Sequence, residues 1–207
     1  MKRLFAFIAI VALPMSSIVV PLPAKANDCS YSLSNYRGRS VPMDSKVEME
    51  LSDESPSGRQ KGGHFVIMTV DFSLDEDCED ATIDSFGFRI QAKENSNGWL
   101  EDMMEYDILA LDDHGVDVAD VSKSFYTYAN GEKTGINMIL SIDDLVIEAG
   151  ETQRIRFVMT TTSRSFHGND QLTPSILKNS LSWHDDGGRI YRYKHSAITG
   201  DTLTYWN

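Results

Sequence analysis

From Val47 onwards apolar residues recur at every second position, and no other feature restricts the fold of this chain so strongly. In V-E-M-E-L at 47–51 and V-I-M-T-V-D-F-S-L at 66–74, one side of the chain is apolar and the other polar. That is the pattern of an extended strand with one buried face. Further runs of this character stand at 83–91, 106–111, 116–121, 125–128, 136–142, 154–160, 176–183, 190–193 and 203–206. Between them come Asn97-Gly98, Asp113-His114-Gly115, Asn130-Gly131, Ala149-Gly150 and Asp186-Gly187-Gly188, residues that accept the positive φ of tight turns. The stretch at 52–63, S-D-E-S-P-S-G-R-Q-K-G-G, reads as a turn-rich connector. The best helical candidate, 99–104, is only about a turn and a half long. Many short β-branched and aromatic runs about ten residues apart predict an all-β fold. One apolar face per strand suits an antiparallel two-sheet sandwich. No linker or repeat divides it, so a single domain over 46–207 is expected, after an irregular polar lead-in at 27–45.

Residues 1–26 have a different character. Lys2 and Arg3 precede the apolar run L-F-A-F-I-A-I-V-A-L at 4–13, and Ala24-Lys25-Ala26 closes the segment. A charged start, a short apolar core and small residues at the end predict an export signal cleaved after Ala26. An uncleaved anchor is the alternative, disfavoured by the breaks at Pro14, Pro21 and Pro23. No later segment approaches the ~18 uninterrupted apolar residues of a membrane span. The mature chain is therefore expected to be secreted or held in the cell envelope. Asn27 and Asp28, in front of Cys29, do not match a lipid-attachment site.

An oxidising compartment favours pairing of the two cysteines, Cys29 and Cys78. Closing the loop between them would stabilise the fold by about 4 kcal/mol on the entropic estimate. Two free thiols are the alternative, and a metal site from two cysteines without C-x-x-C spacing is weaker still.

Charge narrows the partners. The chain has 19 Lys+Arg against 31 Asp+Glu, and loss of the three basic residues of the signal leaves 16 against 31, a formal charge of −15. Nucleic acid and anionic membrane surfaces are excluded as partners, because phosphate contacts need clustered Lys and Arg.

The acidic residues are also the first candidates for chemistry. Asp75, Asp77, Glu79 and Asp80 crowd one loop with Glu76; Asp112, Asp113, Asp117 and Asp120 form a second group, and Asp143-Asp144 and Asp185-Asp186 are pairs at turns. Ca²⁺ takes six to eight oxygen ligands, so Asp75, Asp77, Glu79 and Asp80, made rigid by Cys78, are the candidate calcium ligands. Neither cluster has the spacing of an EF-hand. A solvated acidic surface is the plainer reading, and no other cofactor is expected.

The histidines, His64, His114, His167, His184 and His195, form no H-E-x-x-H or other paired metal spacing. His184 and His195 could meet across a hairpin turning at Gly187-Gly188 and hold zinc with Asp185, against the plainer reading of an exposed turn histidine. A G-x-S-x-G nucleophile elbow is missing. Paired carboxylates for glycoside cleavage are a matter of spatial separation, so a hydrolase is kept only as a third reading. Trp183, Tyr191, Tyr193, Tyr205 and Trp206 gather on the last strands, with Tyr126 and Tyr128 elsewhere. Such side chains can stack on sugar rings, which would make the protein a secreted carbohydrate-binding module; core packing is the preferred reading.

Three segments together resemble the Ig-like β-sandwich modules of bacterial cell-surface and S-layer-like proteins. They are V-E-M-E-L-S-D-E-S-P-S-G at 47–58 with V-D-F-S-L-D-E-D-C-E-D-A-T-I at 70–83; V-I-E-A-G-E-T-Q-R-I-R-F-V at 146–158; and L-S-W-H-D-D at 181–186 with I-T-G-D-T-L-T at 198–204. The resemblance implies a non-catalytic structural or adhesive component of the cell surface. Its expected partners are other envelope or surface proteins, or glycans, and self-association is compatible with it. It carries over no site residue.

Overall fold

The computed structural model describes residues 31–34, 40–43, 45–61, 63–93, 108–127, 133–143, 145–160, 170–192 and 195–206. The export signal and the helical candidate at 99–104 lie outside them. Among the described residues every regular element is a strand: β1 (Tyr31–Ser34), β2 (Ser40–Met43), β3 (Val47–Leu51), β4 (Gly58–Lys61), β5 (His64–Leu74), β6 (Ala81–Lys93), β7 (Ile108–Leu111), β8 (Ala119–Thr127), β9 (Lys133–Ile142), β10 (Val146–Ile147), β11 (Thr152–Thr160), β12 (Gln171–Ile176), β13 (Ser182–Asp185), β14 (Ile190–Arg192), β15 (Ile198–Thr199) and β16 (Leu203–Trp206).

Two layers result. One sheet has the order β3-β5-β11-β7; the larger one runs β14-β13-β6-β12-β16-β4, with β9 and β10 on β6, β8 on β9 and β15 on β12. The long strand β6 is its axis. It carries β9 and β10 along one edge and β12 and β13 along the other. The apolar faces meet between the sheets: Phe72 of β5 and Phe157 of β11 face Phe86 and Phe88 of β6, with ring centroids 4.5 Å apart for Phe88–Phe157, 5.7 Å for Phe72–Phe86 and 5.8 Å for Phe86–Phe157. All four rings are at most 1% exposed. Burial of such a side chain contributes about 1.5–3 kcal/mol each.

Simple alternation breaks at three bulges. Ile67 is skipped where Met68 pairs Phe157 and Val66 pairs Val158, Asp84 where Ile83 pairs Trp183 and Ser85 pairs Ser182, and Thr134 where Gly135 pairs Tyr126 and Lys133 pairs Thr127. An extra residue reverses the parity of the strand beyond it. Inward residues of β6 are therefore Ala81 and Ile83 before the bulge, and Phe86, Phe88 and Ile90 after it.

The structure departs from expectation in four places. The lead-in at 27–45 contains an antiparallel pair, β1 with β2. The connector at 52–63 contains β4, which leaves the smaller sheet and pairs with β16 of the larger one. That pair is parallel, because β4 crosses between the layers instead of turning back on a neighbour. The run at 176–183 is two strands, since Asn179 adopts φ 57° and turns the chain between β12 and β13. Residues 119–121 and 125–127 of the two runs expected at 116–121 and 125–128 belong to one strand, β8, while 116–118 precede it.

Side-chain hydrogen bonds tie the layers and their turns. The indole Nε1 of buried Trp183 donates to Ser45 Oγ at 3.0 Å, joining the chain two residues before β3 to β13. On the outer face of the smaller sheet, Arg154 donates to both Asp71 oxygens at 2.6 and 3.0 Å and pairs with Glu54 Oε1 at 2.6 Å. The hydrogen bonds to Asp71, then Glu54, raise the guanidinium above its ordinary value. The turn after β3 is thereby pinned to the sheet.

Candidate functional site

The bulge at Asp84 turns its carboxylate onto the outer face of the larger sheet, between two rows of side chains. Across β10, β6, β13 and β14 the first row is Val146, Thr82, His184 and Ile190, each directly opposite the next. Ser141, Ser85, Ser182 and Arg192 form the second on β9, β6, β13 and β14. Asp84 Oδ1 lies 2.6 Å from His184 Nδ1, and its Oδ2 accepts from Ser182 Oγ at 3.3 Å. His184 is 36% and Asp84 31% exposed. Serine and histidine thus share the carboxylate, whereas nucleophilic catalysis needs the histidine to stand between serine and carboxylate. Val146, Ile139 and Ile190 on this face are 45, 61 and 68% exposed. Asp84 belongs to no motif or acidic cluster of the sequence; its signal there is the shift of apolar parity between Ile83 and Phe86.

The predicted calcium ligands Asp75, Asp77, Glu79 and Asp80 lie together in the turn between β5 and β6. Asp80 Oδ1 accepts the Ala149 amide at 2.9 Å, holding this turn against the one between β10 and β11. Among the described residues no group of three or more His, Cys, Asp or Glu side chains is placed to hold a metal ion. Cys78 is 7% exposed, and there is no free cysteine among the described residues; Cys29 lies outside them.

The second acidic group serves the backbone. Asp112 Oδ1 accepts the amides of His114 and Val116 at 2.9 and 2.8 Å, and Asp117 Oδ1 accepts that of Ala110 at 3.1 Å. These are the turn-closing bonds that short acidic side chains make readily.

The zinc reading fails for the same reason. Asp185 faces inward, 3% exposed, and accepts the Tyr191 hydroxyl at 2.7 Å and the Arg189 amide at 2.8 Å. Burial alone would raise its carboxyl, but the Tyr191 hydroxyl, the Arg189 amide and charge, and the Gly187 amide outweigh that and hold it below its ordinary value. His195 Nε2 accepts the amides of Ser180 and Leu181 at 3.1 and 3.2 Å, with Nδ1 2.8 Å from the Ser196 carbonyl. His64 Nδ1 is 2.8 Å from Thr160 Oγ1, His114 is 84% exposed, and His167 lies outside the described residues.

The aromatic cluster belongs to the core. Trp183 and Tyr205 are fully buried and Tyr191 is 3% exposed, with Trp183 stacked on Tyr191 at 5.7 Å and Phe65 against Tyr205 at 4.6 Å. Burial also raises the Tyr205 hydroxyl well above its ordinary value. A sugar cannot stack on these rings, so the carbohydrate-binding reading loses three of its five aromatics. The side chains of Tyr193 and Trp206, with those of Tyr126 and Tyr128, lie outside the described residues.

No protein-family model matches the chain, and none of the curated proteins matches it either. Among solved structures it is similar to AvmM, which catalyses macrocyclization in alchivemycin A biosynthesis, with 10% identity over 81% of this chain and 94% of that one and a TM-score of 0.39. It is similar to a cohesin module of a family 33 glycoside hydrolase from Clostridium perfringens, with 8% identity over 78% and 98% and a TM-score of 0.34. It is also similar to self-complemented MyfA, the major subunit of Myf fimbriae from Yersinia enterocolitica, solved with galactose, with 12% identity over 77% and 98% and a TM-score of 0.24. At these scores none of the three carries an argument about what the chain does.

Proposed function

We propose that this chain is an exported, non-catalytic β-sandwich that serves as a structural or adhesive component of the bacterial cell surface. The observation that supports this reading is the use of its polar side chains. Asp80, Asp112, Asp117, Asp185 and His195 each accept main-chain amides, and Asp84 is shared by His184 and Ser182 in an order unsuited to nucleophilic catalysis. The signal-like residues 1–26 supply the export step, and a Cys29–Cys78 bridge belongs to the same proposal.

The test is fractionation of cells producing the chain with a tag after Asn207. Retention in the envelope pellet, with release by low pH or chelator, is the expected result. A protein found free in the medium, or one left in the cytoplasm with residues 1–26 intact, would overturn the surface role. Mass spectrometry before and after reduction reads the bridge separately.

A further inference from the structure

We infer that His195 is a proton-operated latch, which holds the turn between β12 and β13 while its ring is neutral and releases it when the ring is charged. Three successive amides of that turn converge on this one residue. The Asn179 N–H donates to the His195 carbonyl at 3.3 Å, and the Ser180 and Leu181 N–H groups donate to its Nε2 at 3.1 and 3.2 Å. On the other side of the ring, Nδ1 lies 2.8 Å from the Ser196 carbonyl. Main-chain amides can only donate and a carbonyl can only accept, so the ring proton sits on Nδ1 and the lone pair on Nε2. A charged imidazole carries a proton on both nitrogens. Its Nε2–H would then face two amide donors, and both bonds would be lost.

Release is confined to the turn. The Leu177 N–H donates to the Gly87 carbonyl at 2.8 Å and Ser180 Oγ donates to the Leu177 carbonyl, bonds in which the ring has no part. β12 and β13 therefore stay paired with β6. Charged side chains on the surrounding segments are Lys178 on the turn, Asp84 and Arg89 on β6, Arg192 on β14 and Asp201 after β15; Lys194 lies outside the described residues. Among the described residues His195 forms no ion pair, so a charged ring has no carboxylate to grip in place of the amides. Because the latched form needs the neutral ring, its stabilisation is present at the alkaline end of the range in which histidine changes charge. It is lost as pH falls through that range. None of this depends on where the protein resides, and the inference stands or falls apart from the cell-surface role.

Nuclear magnetic resonance of the purified protein between about pH 8 and about pH 5 tests it, since histidine changes charge in that interval. At about pH 8 the ring nitrogens should report a proton on Nδ1 alone. As the ring takes up its second proton, the hydrogen-exchange protection of the Ser180 and Leu181 amides should fall about tenfold or more, while that of Phe88 in β6 holds. His195→Gln should abolish this pH dependence, and His184→Gln, at the histidine that pairs with Asp84, should keep it. Circular dichroism checks that each variant is folded, and the wild-type measurements decide the matter if His195→Gln is not. A proton on Nε2 at about pH 8, or a ring that stays neutral down to about pH 5, would overturn the inference. So would protection of the two amides that is unchanged when the ring is charged, or a pH dependence that survives in His195→Gln.

Discussion

Asp185 shows how one carboxylate can hold an element in place. It is buried under the β13–β14 hairpin and is held in its charged form by the Tyr191 hydroxyl and two main-chain amides. Because folding favours the carboxylate, its stabilisation is complete above about pH 4, where a free aspartate is ionised. The contribution fades as pH falls through the lower value kept in the folded chain. Asp185→Asn should cost about 1–3 kcal/mol at pH 7, the range for disturbing a buried hydrogen-bonded group. Urea titrations of both proteins at pH 7 and pH 3 should show that difference shrinking in acid; a gap that widens would contradict the assignment. Ser45→Ala is a second test at this scale. It leaves the Trp183 indole N–H buried without its acceptor, and a loss of about 1–3 kcal/mol is expected by the same measurement. Pairing of carboxylates with amides was not legible in the sequence, where Asp112 and Asp185 stand out only as members of acidic groups; burial and the turn geometry show which atoms they serve.

At the scale of elements, the bulges and close approaches make the sharpest demands. Gly135 follows the extra residue Thr134 in β9, and a Cβ there would stand 2.2 Å from the Ile90 carbonyl oxygen. Neither backbone can move without breaking the β6–β9 ladder. Gly135→Ala should therefore destabilise by more than about 4 kcal/mol or prevent folding. Gly58 has φ 72° but open space around it, so Gly58→Ala should cost only about 1–2 kcal/mol of backbone strain. Thermal denaturation of the two variants side by side reads the contrast, and equal losses would count against the β9 register. Strand positions such as Val47, Val70 and Phe88 were legible because alternation records burial directly. The break at Lys178-Asn179-Ser180 was also present as turn-forming residues, but apolar neighbours on both sides masked it. β4 could not be read at all, since Arg59, Gln60 and Lys61 make an edge strand whose pairing depends on β16, far away in sequence.

For the whole molecule, the two layers and the commitment of acidic side chains to turns have a common consequence. Calcium should add nothing to stability, because Asp80 already serves the Ala149 amide and no group of three or more His, Cys, Asp or Glu side chains among the described residues is placed to hold an ion. Melting curves with millimolar calcium and with chelator should superimpose, and a calcium-dependent rise would assign Asp75, Asp77, Glu79 and Asp80 as ligands. The class of fold was legible in the sequence periodicity, whereas the candidate face was not, because it depends on how β10, β6, β13 and β14 are brought side by side. The claim on which the whole account rests is that phenylalanines from two separate sheets meet in one interlayer core. Nuclear Overhauser spectroscopy of protein labelled at phenylalanine rings tests it most directly. Cross-peaks linking Phe157 with both Phe86 and Phe88, and Phe72 with Phe86, are the result predicted; assigned rings in a folded sample that show none of these contacts would contradict it.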